Sequence, residues 1–171
     1  MSPVERDVPT RLVPLDAALL AALAASDLDE ASRLSGLAVP ASLAGERWLW
    51  ELRALQLEHS PGDLEWVARL LVSGDEVVGH AGFHGGPDDD GVVELGYWVA
   101  PHRRRQGFGA EALRLLVLWG RDDPRVRTLR ACVAPSNDGS TRLVLRAGFE
   151  HRGEVEDEHD GTEAVLELDV A

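Results

Sequence analysis

The chain has 171 residues, of which 44% are hydrophobic and 27% charged, and its formal net charge is −13. This composition fits one globular domain over residues 1–171 and excludes disordered, collagen-like and coiled-coil proteins. The sequence contains neither 18 consecutive apolar residues nor the apolar stretch of a signal peptide, so we expect no membrane association and no export. A single cysteine, Cys132, cannot form an internal disulfide and indicates a reducing, cytoplasmic location.

The basic residues are unevenly distributed, and all 17 are arginine. Eleven of them lie between Pro101 and Arg152 against five acidic residues, whereas the rest of the chain has six arginines against 25 acidic residues. A basic segment in an acidic protein favours a small phosphorylated ligand over nucleic acid. The alternative is that acidity provides solubility and arginine reflects codon usage.

The N-terminal third predicts mainly helices. Asp16 is a suitable N-cap for the first of them. Trp48, Leu49, Leu52 and Leu55 share one apolar face of the longest. The predicted elements are a lead-in with an edge strand over residues 3–13 and helices over 16–26, 27–35 and 42–59.

From residue 64 the apolar residues alternate, which is typical of a strand reaching residue 72. Gly148 and Phe149 are placed to end the last helix. The succession that follows predicts an α/β domain with a mixed sheet. Its elements are strands over residues 77–83 and 92–99, a helix over 107–120, a strand over 127–134, a helix over 137–147, and two strands over 149–156 and 163–170 joined by an Asp160–Gly161 turn.

The segment from Val99 to Ala112 contains the most informative local pattern. A predicted strand leads into a short loop with three arginines and two glycines, and a helix follows at once. Glycine permits close approach of the backbone to a ligand, and the free amides of a helix N-terminus bind anions. We therefore predict a pyrophosphate site. Neither the P-loop pattern nor the dinucleotide pattern G-x-G-x-x-G is present.

The spacing of Arg104 to Gly109 resembles the (Gln/Arg)-x-x-Gly-x-(Gly/Ala) motif of the GCN5-related N-acetyltransferases (GNAT). Glu94 to Val99 is similar to the strand before this loop in the branch that acetylates the N-termini of ribosomal proteins. Asn137 and Ser140, followed by Gly148-Phe149, match that branch's Asn-x-x-Ser and Gly-Phe. The His159-Asp160-Gly161 hairpin is also similar, and the resemblance covers roughly residues 65–168.

The resemblance implies a single GNAT-like α/β (α+β) domain with a mixed, mostly antiparallel central sheet, splayed central strands and helices on both faces. It implies transfer of an acetyl group from acetyl-coenzyme A to a primary amine in a ternary complex. The acceptor would be a small-molecule amine or a protein N-terminus. The implied coenzyme-binding residues are Trp98, Val99, Arg104, Arg105, Gln106, Gly107, Phe108, Gly109, Ala110 and Asn137.

Two residues are implied as catalytic. Glu94 would act as the base, directly or through a water molecule, and partial burial would raise its pKa. The alternative is an exposed carboxylate or one paired with arginine. Ser140 occupies the place where this branch has a serine near the sulfur; the alternative is a packed serine. Many members have instead a tyrosine acid one helical turn later, where this chain has Val144. Asn137 would cap a helix, contact the coenzyme, or do both.

Other residues give weaker indications. The histidines are too dispersed for a metal site, and no zinc motif is present, so we expect no metal. Trp48 and Trp50 would form either the wall of an acceptor pocket or packing contacts, and we expect Cys132 in the core. The alternative functions are a non-catalytic acyl-coenzyme A-binding regulatory domain and, more weakly, nucleic-acid binding. An apolar strand edge leaves a homodimer open.

Overall fold

The computed structural model describes residues 8–158 and 161–171. Within these ranges one seven-stranded sheet, in the order β1-β2-β3-β4-β5-β7-β6, is combined with five α-helices. The elements are β1 (Thr10–Val13), α1 (Ala17–Ala24), α2 (Leu28–Ser35), α3 (Arg47–His59), β2 (Arg69–Ser73), β3 (Glu76–Phe83), β4 (Val92–Val99), α4 (Phe108–Asp122), β5 (Thr128–Val133), α5 (Asp138–Arg146), β6 (Glu150–Asp157) and β7 (Gly161–Asp169).

The centre of the sheet contains its parallel pair. β4 and β5 are parallel and pair only where Val92–Glu94 faces Thr128–Arg130, whereas the other neighbouring strands are antiparallel. Beyond Glu94 the two strands separate. The predicted mixed, mostly antiparallel sheet with splayed central strands is confirmed.

Helices cover both faces of this sheet, as predicted. Alternate residues of a strand point to opposite faces, so neighbouring residues of β2 and β3 belong to different cores. Leu71 and Val78 pack in the core beneath α4. Leu70 and Val77 pack in a second core with residues of α1, α2 and α3.

The predictions of an edge strand and of the first two helices agree with the structure. β1 forms an edge of the sheet. The Asp16 carboxylate accepts a hydrogen bond from the amide of Leu19 at 2.8 Å, and Asp27 caps α2 in the same way at 3.0 Å. Residues 1–7, and His159 and Asp160 of the predicted hairpin turn, lie outside the described residues.

The prediction of a strand over residues 64–72 is wrong in its first half. A 3₁₀ turn occupies Pro61–Glu65, and β2 begins only at Arg69. The carbonyl of Asp63 accepts hydrogen bonds from the amides of Trp66 and Val67, so these two amides bond within the turn, and only the carbonyl of Trp66 reaches β3, where it accepts from the amide of Phe83. Trp66 is buried and stacks on Trp119 of α4, and because Val67 and Ala68 are buried as well, the alternation expected from residue 64 does not occur here.

The predicted helix over 42–59 is divided, and its apolar face is different. A 3₁₀ turn over Ala41–Glu46 precedes α3. Leu49 and Trp50 are buried together with Arg53, whereas Trp48, Leu52 and Leu55 are exposed. Arg53 lies on the inner face because its guanidinium donates to the carbonyl of His84 at 3.2 Å and to the side chain of Gln56 at 2.7 Å.

Two leucines of α4 allow a matched test of the core. Leu116 is fully buried, whereas Leu118 on the same helix is 43% exposed. We expect Leu116→Ala to lower the free energy of unfolding by about 2 to 5 kcal/mol, because it leaves a cavity, and Leu118→Ala by less than about 1 kcal/mol. Urea denaturation followed by circular dichroism measures both, and equal losses would contradict the assignment of this helix face.

Candidate functional site

The turn between β4 and α4 has an unusual backbone. After a 3₁₀ turn over Pro101–Arg103, Arg105 and Gly107 adopt left-handed conformations, with φ of 60° and 81°. A left-handed residue next to right-handed ones turns successive amides toward one concave side, which binds anions. The amides of the first turn of α4 have no intrahelical acceptors and point the same way. The predicted anion site therefore has a suitable backbone.

Side chains fix this turn from behind. Glu76, at the start of β3, forms an ion pair with Arg103 and lies 2.9 Å from Nε2 of His102. Arg104 donates from Nε to the carbonyl of Val99 at 3.0 Å. The hydrogen bond from Arg103 outweighs the opposing effect of burial and, with a smaller contribution from His102, lowers the pKa of Glu76 to about 2.

A cleft of about 570 Å³ opens in front of the turn. Five arginines and no carboxylate are among the described residues that line it, so the cleft is strongly positive. Nine of the ten predicted coenzyme-binding residues line it, namely Trp98, Val99, Arg104, Arg105, Gly107, Phe108, Gly109, Ala110 and Asn137. The exception is Gln106, whose side chain donates to the carbonyl of His102 at 3.1 Å.

The two arginines of α5 also face this cleft. Arg142 and Arg146 line it beside Arg103, Arg104 and Arg105 of the turn. Because α5 packs beside α4, the two helices place these guanidinium groups around one opening.

The separation of β4 from β5 creates a second opening of about 270 Å³. It is lined by residues 95–97 of β4 and 131–133 of β5, and by Asn137, Ser140 and Val144 from the side of α5. Tyr97 and Asn137 line this gap and also the basic cleft. The gap therefore adjoins the cleft at the first turn of α5.

Glu94 lies on the face of the sheet covered by α3. It lines a groove of about 770 Å³ together with Trp48, Arg53, His84 and Cys132. Its Oε1 is 3.2 Å from Nδ1 of His84, and its side chain is 37% exposed. The predicted rise of its pKa is wrong: the hydrogen bond with His84 outweighs burial and lowers the pKa of Glu94, with smaller contributions from Cys132 and Arg130.

His84 is a site residue that the sequence pattern did not single out. It follows β3, and its amide donates to the carbonyl of Glu94 at 2.8 Å. Its Nε2 lies over Gly96, where an added Cβ would be only 3.0 Å away. The missing side chain at Gly96 thus leaves room for the imidazole next to the gap.

Asn137 and Ser140 lie together at the start of α5. The side-chain oxygen of Asn137 accepts a hydrogen bond from the amide of Ser140 at 3.1 Å, so the capping role is confirmed, and both residues line the cleft and the gap. Val144, one turn later, is fully buried.

The remaining candidates divide between pocket and core. Trp48 is 60% exposed and lines the groove, whereas Trp50 is fully buried and packs edge-on against His80. Cys132 is half-buried on β5 and lines the gap instead of lying in the core, and burial raises its pKa to about 12, so its thiol is protonated at neutral pH. Residues 8–158 and 161–171 contain no group of three or more His, Cys, Asp or Glu side chains that could hold a metal ion. No helix in these ranges is long and apolar enough to cross a bilayer.

Comparison with known proteins identifies the family. The family model described as an acetyltransferase (GNAT) domain matches residues 10–150. The uncharacterized N-acetyltransferase YjdG of Bacillus subtilis (strain 168) is 34% identical over 74 residues, which cover 43% of this chain and 44% of that protein. The chain therefore spans less than half the length of this curated relative.

Solved structures share the whole fold at low sequence identity. RimL, a ribosomal alpha-N-protein acetyltransferase in complex with coenzyme A, superposes with a TM-score of 0.68 at 15% identity and covers 98% of this chain, with 97% of its own length matched. The aminoglycoside acetyltransferase AAC(6')-Ib, in complex with coenzyme A, gives a TM-score of 0.62 at 22% identity, with 95% of each chain covered.

The ion pairs behind the turn predict a pH-dependent contribution to stability. Because the pKa of Glu76 is depressed from 4.5 to about 2, its contribution is present above about pH 5 and is lost as the pH falls toward 2. We expect Glu76→Gln to lower the free energy of unfolding by about 1 to 2 kcal/mol at pH 6, after allowance for solvent screening, and by progressively less below pH 4.

The measurement is urea denaturation of wild type and variant at several pH values. Glu51→Gln, which breaks an exposed pair with Arg47 on α3, is the control and should change stability little at any pH. A difference between wild type and Glu76→Gln that stays constant from pH 6 to pH 3 would contradict the assignment.

Proposed function

The chain belongs to the acetyltransferase (GNAT) family, and from this premise we propose that it transfers an acetyl group from acetyl-coenzyme A to a primary amine by direct attack in a ternary complex. The observation that carries the proposal is the arrangement of three neighbouring cavities: the basic cleft, the β4–β5 gap and the groove beneath α3. A basic cleft at the N-terminus of α4 adjoins the β4–β5 gap, and the groove with Glu94 and His84 lies on the other side of the sheet.

The cleft is suited to the phosphate-bearing half of the coenzyme. The amides around Gly107, Gly109 and Ala110 would hold the pyrophosphate, because they point to one concave side at a helix N-terminus. Arg142 and Arg146 would pair with a further phosphate. Trp98 and Val99 would flank the chain that carries the thioester into the gap, while Gln106 would support the turn from behind.

The proton acceptor in this proposal is the pair formed by Glu94 and His84. An amine with a pKa near 10 must lose a proton before it attacks a carbonyl carbon. The ionised Glu94 accepts a hydrogen bond from Nδ1 of His84, which leaves Nε2, over Gly96, available to receive that proton. In this proposal the imidazole of His84, and not a water molecule, transfers the proton between the amine and Glu94.

The charge of the acceptor side favours a cationic amine. Among the described residues, the two cavities on this face are lined by four carboxylates, from Glu46, Glu94, Asp157 and Glu163, and by one arginine. Trp48 and Trp98 add aromatic surfaces, on which cations bind favourably. A small-molecule amine and the N-terminus of a protein both satisfy this chemistry.

One observation supports a second candidate, a regulatory domain that binds acyl-coenzyme A without catalysis. Val144 occupies the position of the tyrosine acid and is part of the core, so that acid is missing.

Release of thiol from acetyl-coenzyme A, measured across a panel of amines, distinguishes the two candidates. Amine-dependent release above the hydrolysis rate supports the enzyme, whereas saturable coenzyme binding with no release throughout the panel supports the regulatory domain.

The carboxylate–imidazole pair predicts coupled effects on turnover. We expect Glu94→Gln and His84→Ala each to lower kcat at least about tenfold, with little change in coenzyme affinity, because neither residue lines the cleft. We expect the double variant to be no slower than His84→Ala, because the two side chains act as one unit.

The control is Glu30→Gln on the exposed face of α2, which should retain wild-type turnover. Steady-state kinetics of thiol release and calorimetry of coenzyme binding measure these effects. Full turnover of Glu94→Gln would remove that residue from the mechanism.

A further inference from the structure

The side chain of Tyr97 has no role in the mechanism so far, yet it occupies a central position. It lies on β4 between Gly96 and Trp98 and points to the opposite face, toward α4 and α5. It lines the basic cleft, the β4–β5 gap and the adjoining cavity of about 460 Å³ on the acceptor side. Its ring packs near Gly109, where an added Cβ would be 3.8 Å from Cε2.

The hydroxyl group of Tyr97 is buried, and it has no partner in good hydrogen-bond geometry among the described residues. Leaving a buried hydroxyl without a partner is unfavourable, so such a group marks a position that a ligand or a small side-chain adjustment completes. Ser140 lines the same cleft and gap. Burial raises the pKa of Tyr97, and the nearby Ser140 side chain offsets part of this rise, which indicates that the two hydroxyls are close.

We propose that Tyr97 is a positioning residue that donates a hydrogen bond to Oγ of Ser140 and thereby directs the Ser140 hydroxyl at the sulfur of the coenzyme. The inference rests on the proposed function and deepens it. The phenol is placed on β4, not on α5, and so compensates for the missing tyrosine at the position of Val144.

The atoms and electrons of this step balance without another reactant. The cationic amine first gives one proton to the pair of Glu94 and His84, which releases it to solvent, and the neutral nitrogen then forms a bond to the carbonyl carbon. The nitrogen gives its second proton to the same pair. The carbon–sulfur bond breaks and its electron pair stays on sulfur. The thiolate accepts a hydrogen bond from Ser140 and is protonated by solvent after release, so Tyr97 remains neutral throughout.

The test uses coenzyme A itself, so that it does not depend on the identity of the acceptor. A hydrogen bond to the thiolate lowers the pKa of the bound thiol, which is measured from thiolate absorbance during a pH titration of the complex. We expect both Tyr97→Phe and Ser140→Ala to raise this pKa by roughly half a unit to one unit. We expect kcat with any amine accepted by the wild type to fall about threefold to tenfold in Tyr97→Phe, with unchanged coenzyme affinity.

The double variant distinguishes a positioning role of Tyr97 from a packing role. We expect the double variant Tyr97→Phe/Ser140→Ala to match Ser140→Ala in both measurements, because Tyr97 acts only through Ser140. Phenylalanine keeps the ring and its packing, and urea denaturation verifies that the variant folds. Thr141→Val is the matched control, since it removes a hydroxyl from the same helix turn, one that donates to the carbonyl of Asn137.

The possible results lead to different conclusions. A wild-type thiol pKa in Tyr97→Phe, or additive effects of the two substitutions, would overturn the role of Tyr97 while leaving the proposed function intact. A shifted thiol pKa with no amine acetylated would support the hydroxyl pair and count against the proposed enzyme. Failure of coenzyme A to bind would overturn both.

Discussion

The site depends on the short length of one strand pairing. β4 and β5 are parallel neighbours for three residue pairs, and after Glu94 the ladder ends. In a continuous sheet the residues that follow would bond to one another and close the space between the two faces. Because they separate, the backbone of residues 95–97 borders a gap into which α5 contributes Ser140 and Asn137. The sheet thus supplies a passage as well as a scaffold.

The alternation of side chains along β4 assigns each residue to one side of this passage. Glu94 and Gly96 face α3 and the groove, with His84 above them, whereas Leu95, Tyr97 and Val99 face α4 and α5. A shift of register by one residue would exchange the two sets and move the carboxylate to the face of α4 and α5. The antiparallel pairing of β3 with Leu95–Val99 fixes this register.

The sequence predicted those parts of the molecule in which local pattern and tertiary structure agree. The bounds of β4 and the turn after it were correct, because alternation, glycine and arginine are local signals. The strand over 64–72 was wrong in part because Trp66 is buried by stacking on Trp119, which is distant in sequence. For the same reason the lowered pKa of Glu94 was missed, since it depends on His84, which follows the neighbouring strand β3. The apolar face of α3 was misassigned because Arg53 is buried by bonds to a distant carbonyl.

Every positively charged side chain among the described residues that line the cleft is an arginine, and the chain has no lysine. A guanidinium keeps its proton at every pH at which proteins fold, so the field in the cleft is constant across the physiological range. It is also a very poor nucleophile in that state. A surface lined by arginine can bind a reactive thioester without being acylated by it. The amine of a lysine in the same place would be at risk of acylation.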